Sequence, residues 1–368
     1  MKEQNHLRVY DLTLTVQSPL FVGTGRSLAK NEYLYDPNRG KVSFVDEQAF
    51  LSLLANRGLV NKYEEYILSG DTSLFRFLRN TCGLSPRDID QIAPRTIQAG
   101  NAMGENGNKA QIYSFQRSSA GRAYIPGSSL KGALRTVWLA ARMLEEENHS
   151  DRRFHQPDPN RANKRRPTNP IPEENYVSLL NCNEERRSDA VNSIFRGISV
   201  SDSEPISDRA FILCRKWDIH PSGGAHSINL IRECVRPGTT IRFHVTLDQF
   251  LLNQRITAKS LMADIAIFAQ FYREHYLSHF TLPEHAVDPL NDRCLFLGGG
   301  PGLFSKSLAY PYWGDDDALR DVSAFLNAFF PQHKHDNDLD RGISPRTLKY
   351  TEYNGLLYPF GICEVSFQ

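Results

Sequence analysis

Alternating hydrophobic and polar residues predict most of the strands. Apolar side chains recur at every second position from Leu7 to Val16, with a slip at Tyr10-Asp11, and again from Thr239 to Leu247. A period of two is typical of half-buried strands. Two shorter pieces flanking the turn at 36–40 predict a hairpin over 32–45. Further strands are expected at 111–116, 194–201, 211–217, 293–297 and 358–367.

Apolar residues spaced three and four apart predict the helices. One helix is expected from an N-cap at Asp46 to about Ala55, and others over 258–277 and 321–330. The segment 61–93 also has a helical period and is predicted as the main part of a helical insertion over 61–108. Since short strands alternate with helices without a regular βαβ series, the predicted fold class is α+β.

Composition indicates an ordinary globular protein. The 368 residues are 40% hydrophobic and 23% charged, and no apolar run reaches the ~18 residues of a membrane helix. Residues 1–6 lack an apolar signal segment, so a cytoplasmic location without a membrane partner is expected. Because the net charge is only +1, a nucleic-acid site would have to come from local clusters. The six cysteines are scattered, which predicts reduced thiols and neither disulfides nor a zinc site.

The stretch 124–136, Y-I-P-G-S-S-L-K-G-A-L-R-T, carries the strongest candidate chemistry. It predicts a strand, a turn and a helix through about 147, with Ser128 or Ser129 as N-cap. Helix N-terminal N–H groups, two hydroxyls, Lys131 and Arg135 suit a phosphate, and Gly127 and Gly132 permit close approach. The alternative is a plain capped amphipathic helix whose two cations are an exposed pair. The residues alone do not decide between a phosphate site and a plain capped helix.

Two glycine-rich segments add to this picture. Gly23-Thr24-Gly25-Arg26 is predicted as a tight loop, and residues 298–307 as a flexible one. The second resembles a phosphate-binding P-loop, but Ser305 stands where that motif needs glycine, and Lys131 of the central stretch precedes Gly132 and not a hydroxyl residue. An NTPase is therefore not predicted.

Four stretches in order resemble the RAMP superfamily of CRISPR RNA-binding subunits. They are L-T-L-T-V-Q-S-P-L-F-V-G-T-G-R (12–26), P-G-S-S-L-K-G-A-L-R-T (126–136), G-I-S-V-S-D-S (197–203) and L-G-G-G-P-G-L-F-S-K-S (297–307). Within that superfamily the combination is most similar to the fifth-subunit family of type III-A Csm effector complexes. The resemblance covers most of the chain and is patchy over 61–108 and 148–172.

The resemblance implies a RAMP core that is RRM-like, or ferredoxin-like, with helical and loop insertions. Its first part would be 1–60 and 109–147, interrupted by the helical insertion 61–108. A basic flexible linker would occupy 148–172, and the rest of the core 173–368. The linker's cations are Arg152, Arg153, Arg161, Lys164, Arg165 and Arg166. It is interpreted either as a solubilising linker or as an arm that orders on RNA.

The function that the resemblance implies is binding of guide RNA (crRNA), capping of the 3′ end of a type III-A interference complex, and support of crRNA maturation in antiviral defence. Implied partners are crRNA, other Csm subunits, above all the filament backbone subunit, and cellular nucleases. A projecting hairpin at 217–231 would wedge between nucleotides. No catalytic role, cofactor or metal is implied. The expected RNA-binding residues are Gly23, Gly25, Arg26, Gly127, Ser128, Ser129, Lys131, Arg135, Trp217, His220, His226, Gly299, Gly300, Ser305, Lys306 and Ser307.

Two competing functions remain open at this point. One is an endoribonuclease, for which Asp36 and Asp46 follow the first strand, although a turn and a helix cap already account for them. The other is an assembly subunit whose glycine loops contact protein. A His/Asp cluster at 333–340 could attract a divalent ion, but its spacing matches neither an EF-hand nor a zinc helix, and a solvated loop is the preferred interpretation.

Overall fold

The computed structural model describes residues 6–70, 73–104, 110–146, 154–155 and 169–368. Its strands are β1 (Leu7–Val16), β2 (Gly23–Leu28), β3 (Tyr33–Asp36), β4 (Lys41–Phe44), β5 (Arg95–Gln98), β6 (Ile112–Phe115), β7 (Ile198–Val200), β8 (Phe211–Ile219), β9 (Ala225–Val235), β10 (Thr240–Asp248), β11 (Cys294–Phe296), β12 (Leu348–Tyr353), β13 (Leu356–Pro359) and β14 (Ile362–Phe367). Its α-helices are α1 (Glu47–Asn56), α2 (Val60–Ser69), α3 (Leu74–Arg76), α4 (Pro86–Ile92), α5 (Gly127–Leu144), α6 (Glu174–Val177), α7 (Gln249–Leu252), α8 (Ala258–His275), α9 (Ala309–Trp313) and α10 (Asp315–Phe329).

The smaller sheet has the order β11-β14-β1-β10-β7, and all its neighbours are antiparallel. Helix α5 lies between β1 and β7 in the chain, and α8 lies between β10 and β14. Without the edge strand β11, the element order is β-α-β-β-α-β and the strand order is 4-1-3-2. This is the ferredoxin-like arrangement, so the predicted α+β core is confirmed.

Burial follows the predicted periods. Leu12 and Leu14 of β1 are opposite Phe243 and Ile241 of β10, and all four are buried. Helices α5 and α8 pack together, and each also contacts the smaller sheet. Their apolar faces are therefore covered, and the ferredoxin-like unit has one continuous core.

One carboxylate lies in the interface between the two long helices. Asp264 of α8 is 1% exposed and accepts a hydrogen bond of 2.6 Å from Arg142 Nη2 of α5. Burial raises the pKa of the Asp264 carboxyl to about 6, although the Arg142 guanidinium acts in the opposite direction.

The Asp264→Asn variant is expected to gain stability relative to the unsubstituted protein as the pH rises. The pKa of Asp264 is about 3.9 in the unfolded chain and about 6 in the folded protein, so the folded protein favours the protonated carboxylic acid. The stabilisation by this group is therefore largest below about pH 3.9 and is lost as the pH rises to about 6. The difference in unfolding free energy between the Asp264→Asn variant and the unsubstituted protein should change by up to about 3 kcal/mol between about pH 4 and 7. Urea unfolding across that range measures it, with the exposed Asp340→Asn as control. A difference that does not vary with pH would contradict the burial of this carboxylate.

The larger sheet has the order β2-β6-β9-β8-β5-β4-β3, with β12 paired to β8 and β13 paired to β12. Helices α1 to α4 pack around a separate apolar cluster that includes Phe50, Tyr66, Phe77 and Leu78. Leu34 of β3 joins this cluster to the larger sheet. A second, local core thus supports the helical region predicted after residue 61.

Several predicted elements differ from the structure because long-range pairing decided them. Residues 23–28 belong to strand β2, which pairs with β6 at Gly23, Ser27 and Leu28, and the predicted glycine loop is an irregularity between Gly23 and Ser27 where the register shifts. The expected helical insertion contains strand β5, which joins β4 and β8. Residues 194–197 form a 3₁₀ turn before β7, and the last predicted strand is divided into β13 and β14. Helix α10 begins at Asp315, earlier than predicted.

The predicted basic linker lies mostly outside the described residues, and so do its six cations. Among the helices that the structure describes, none is both long enough and apolar enough to span a bilayer.

Candidate nucleic-acid interface

Three of the sequence stretches meet around one cleft of about 600 Å³. We call this space the glycine cleft. Gly23 and Gly25 of β2 form one wall, Ser129 and Gly132 of α5 form another, and the segment 298–306 forms the third. Its other lining residues are Phe21, Val22, Ala133, Thr136, Val137, Phe268, Phe296 and Leu297. Segments that are far apart in the sequence therefore make one concave surface.

The glycine-rich segment is attached through its backbone to the segment between β1 and β2. Gly299 donates its N–H to the Phe21 carbonyl over 2.6 Å. Gly298 has a φ of +74°, and a Cβ there would overlap the same carbonyl oxygen. Only glycine can adopt this positive φ without strain and also leave room for the Phe21 carbonyl oxygen. The close approach of two backbones defines this side of the cleft.

The start of α5 is capped differently from the prediction. Pro126 is the N-cap, the helix begins at Gly127, and neither Ser128 nor Ser129 caps it through its side chain. Asp202, two residues after β7, accepts the Gly127 N–H at 2.9 Å. A negative side chain therefore already occupies the positive end of this helix, where a phosphate was expected.

The polar residues of α5 lie on two faces. At about 100° per residue, Ser129 and Gly132 share the cleft face, whereas Lys131 and Arg135 lie about 160° and 120° around the helix from Ser129 and point away from the cleft. Arg135 is paired with Glu173, with 2.6 Å between Nη1 and Oε2. Lys131 forms no ion pair with a described residue, and partial burial lowers its pKa. The structure thus separates the predicted hydroxyl and cation donors.

The cation that reaches the cleft is Lys306. Its ammonium donates a hydrogen bond to the Gly298 carbonyl. Local desolvation lowers its pKa, and the nearby Arg232 guanidinium acts in the same direction. Ser305 is buried and donates its hydroxyl to the Gly302 carbonyl at 3.1 Å, while Ser307 accepts the N–H of the residue two positions on. The two serines therefore mainly hold the loop in shape.

Arg232 of β9 was not identified from the sequence. Its guanidinium lies over the rings of Phe21 and Phe360, with 5.5 and 5.0 Å to the centroids. Desolvation lowers its pKa, and one of its buried nitrogens has no hydrogen-bond partner among the described residues. An arginine within the apolar run at 230–235 was the available signal. It places a second positive charge behind the cleft, close to Lys306.

Comparison with known families now identifies the fold. A profile of the RAMP superfamily matches residues 13–282, which is most of the chain. The chain belongs to the RAMP superfamily.

Two named relatives align with 99% and 83% of the chain. The chain is 27% identical over 410 aligned positions to "CRISPR system Cms protein Csm5" of Mycobacterium tuberculosis (strain ATCC 25618 / H37Rv), covering 99% of this chain and 98% of that protein. It is 26% identical over 316 positions to the protein of the same name from Streptococcus thermophilus, covering 83% and 81%. The resemblance to the fifth Csm subunit that was inferred from four motifs is confirmed.

Two solved structures share this RAMP fold. One is the crystal structure of T. onnurineus Csm5, with a TM-score of 0.58 and 18% identity over 96% of this chain and 99% of that chain. The other is a chain in the cryo-EM structure of a Csm-crRNA-target RNA ternary complex of a type III-A CRISPR-Cas system, with a TM-score of 0.60 and 18% identity over 97% and 100%. At this identity the likeness establishes the fold.

The hairpin predicted at 217–231 is formed by the ends of β8 and β9, and both strands belong to the larger sheet. β8 pairs with β9 on one side and with β12 on the other, up to Ile219. The tip packs against Thr281, whose N–H donates to Pro221. Trp217 lies in β8 and His220 one residue after its end, and side chains three positions apart along an extended chain lie on opposite faces. The three predicted wedge residues therefore do not form one group.

The acidic candidates for nuclease chemistry have structural roles. Asp36 accepts N–H groups of Asn38 and Arg39 in its turn, and Asp46 caps α1 by accepting the Ala49 N–H, as predicted. In the His/Asp segment, Asp338 is buried. Its carboxylate contacts His335 at 2.9 Å, Ser344 at 2.7 Å and Arg346 at 3.0 Å. These contacts hold the segment against its neighbours, so it is not the fully solvated loop that was the preferred interpretation.

Proposed function

We propose that this RAMP-superfamily chain binds crRNA in a type III-A CRISPR complex and caps the complex at the 3′ end of that RNA. The observation that carries the proposal is the glycine cleft, in which three of the four family motifs converge on one surface. The names of the relatives and the ternary complex that shares the fold support the same assignment. Other Csm subunits, in particular the backbone subunit, would then be its protein partners.

The chemistry of the cleft suits an RNA backbone. Glycines on all three walls let phosphate and ribose approach the main chain, and Ser129 offers a hydroxyl. Lys306 supplies a cation at the cleft, Lys131 supplies one on another face of α5, and an approaching phosphate would favour their charged forms. Contacts of this kind carry no base information, which suits a subunit that accepts any guide sequence.

The remaining predicted contacts stay predictions. Arg26 is paired with Glu32 at 2.8 Å, and Arg135 with Glu173, so each would have to exchange its carboxylate for a phosphate. Both pairs are substantially exposed, and such pairs are worth little, about 0–1 kcal/mol. Exchange on RNA binding is therefore energetically feasible. Support of crRNA maturation by recruited nucleases is part of the same proposal.

Replacing Lys131 and Lys306 together with alanine is expected to weaken binding of single-stranded guide RNA. Each lost phosphate contact should lower the slope of log K against log salt by about 0.7, so the double variant should lose about 1.4. Fluorescence anisotropy at several salt concentrations measures both the affinity and the slope.

The matched control is the double variant Lys62→Ala with Lys259→Ala, which removes the same charge from exposed positions on α2 and α8. An unchanged slope in the cleft variant, with a native melting curve, would overturn the cleft as the RNA site. RNA that is cut during the assay, in a reaction lost in Asp36→Ala, would favour an endoribonuclease instead.

A further inference from the structure

A second cavity lies on the other side of the glycine-rich segment. We call it the histidine pocket, and it encloses about 590 Å³, within the range of small-molecule sites of about 300–1,000 Å³. Leu303 lines it, whereas Ser305 and Lys306 line the glycine cleft. A Cβ at Gly302 would lie 3.3 Å from the Lys349 side chain in the pocket wall. One short segment thus separates the two cavities.

The polar wall of the histidine pocket carries an excess of positive charge. Lys349 Nζ donates to Asp218 Oδ2 at 3.0 Å, and Lys216 Nζ lies 3.4 Å from the other oxygen of the same carboxylate. Two ammonium groups therefore share one negative charge. Burial lowers the pKa of Lys349 to about 8. A monoanion placed between the two lysines would complete the charge balance of this wall.

Beside the lysines, on the same face of the sheet, the pocket wall is aromatic and apolar, since Asp218 is opposite His226 and Lys216 is opposite Ile228 in the strand register. The rings of His220 and His226 are stacked, with 5.1 Å between centroids and 18° between planes. Ile228, Leu303 and Phe330 extend this surface. The hairpin turn fixes the pair, because the His220 N–H donates to the Gly224 carbonyl at 2.8 Å, and His226 is exposed at the mouth. A flat ring can stack here within reach of the lysines.

We propose that the histidine pocket binds one unpaired nucleotide of the RNA strand that occupies the glycine cleft, with the base against His220 and His226 and its phosphodiester against Lys216 and Lys349. This inference rests on the proposed function, because it takes the ligand to be RNA. From the sequence, the two histidines were expected to wedge between bases, whereas in this proposal the pocket binds a single nucleotide. Neither lysine was identified from the sequence.

The test titrates the full chain with labelled oligouridine by fluorescence anisotropy at several salt concentrations. His226→Ala is expected to weaken binding by about fivefold or more, the lower end for loss of one base stack. Lys216→Gln is expected to lower the salt slope by about 0.7. Lys259→Gln, which removes the same charge from an exposed site on α8, is the matched control and should change neither quantity. Unaltered melting temperatures establish that each variant is folded.

Five outcomes separate the two proposals, of which binding that neither the pocket variants nor the Lys131/Lys306 variant weakens overturns both sites. Weaker binding in both pocket variants and in the Lys131/Lys306 variant supports both. Weaker binding in the pocket variants alone supports the histidine pocket and overturns the glycine cleft as the main site. Weaker binding in the cleft variant alone overturns the pocket and leaves the proposed function in place. Absence of oligouridine binding by the unsubstituted chain overturns both.

Discussion

Replacing Glu233 with alanine is expected to lower the free energy of unfolding by about 3–5 kcal/mol, because it leaves two partly buried guanidinium groups without their shared partner. Glu233 of β9 is fully buried. One carboxylate oxygen accepts from Arg95 of β5 at 2.6 Å and from Arg117, which follows β6, at 2.7 Å. The other accepts the Phe115 N–H at 3.1 Å. The side chain thus joins three strand regions of the larger sheet.

Urea unfolding followed by circular dichroism measures this loss, with Glu64→Ala on the exposed face of α2 as the control, expected to change stability by less than about 0.5 kcal/mol. Glu233→Gln keeps the shape and an acceptor for the Phe115 N–H and removes only the charge. A Glu233→Ala variant as stable as the control would mean that the arginines find water or other partners at no cost.

Replacing Gly298 with alanine is expected to affect the glycine cleft and the stability together. The left-handed backbone at this position costs a non-glycine residue about 1–2 kcal/mol. The new Cβ would overlap the Phe21 carbonyl oxygen, and the Gly299 hydrogen bond to that oxygen, worth about 1 kcal/mol, should break. We therefore expect a stability loss of about 2–3 kcal/mol and RNA binding weakened by about tenfold or more, equivalent to about 1.4 kcal/mol.

The matched control for this substitution is Gly40→Ala. Gly40 also has a positive φ, of +58°, but a Cβ there meets nothing within 4 Å. The Gly40→Ala variant therefore measures the cost of a positive φ alone, without a steric clash and away from the glycine cleft. If both variants lose the same stability and bind RNA equally, the contact between Gly298 and Phe21 does not shape the cleft.

Local sequence patterns predicted the elements that depend on local physics. The alternation in β1 and β10 predicted strands whose buried residues are opposite each other in the sheet. The helix at 258–275 agreed with its apolar spacing, and Asp46 capped α1 as its position indicated. Four ordered motifs were sufficient to indicate the RAMP superfamily, which the match to residues 13–282 confirms.

Contacts between distant segments could not be predicted from those patterns. Residues 23–26 look like a glycine turn, yet pairing with β6 at Gly23 and again at Ser27 places this irregularity inside a strand. The N-terminus of α5 looked open to a phosphate, yet Asp202 caps it from 75 residues away in sequence. Trp217 and His220 were grouped by their closeness in the chain, although strand alternation places them on opposite faces. In the first two cases a partner elsewhere in the chain outweighed the local preference.

The sequence by itself determined the family, the α+β class, the periods of the main strands and helices, and the glycine-rich stretches that can approach a ligand closely. The packing of distant segments brings Gly23, Ser129 and Lys306 into one cleft, and Lys216 and Lys349 into one pocket with the stacked histidines. The physical reason is that propensity and period act over a few neighbouring residues, whereas a binding surface depends on sheet pairing and packing between residues hundreds of positions apart.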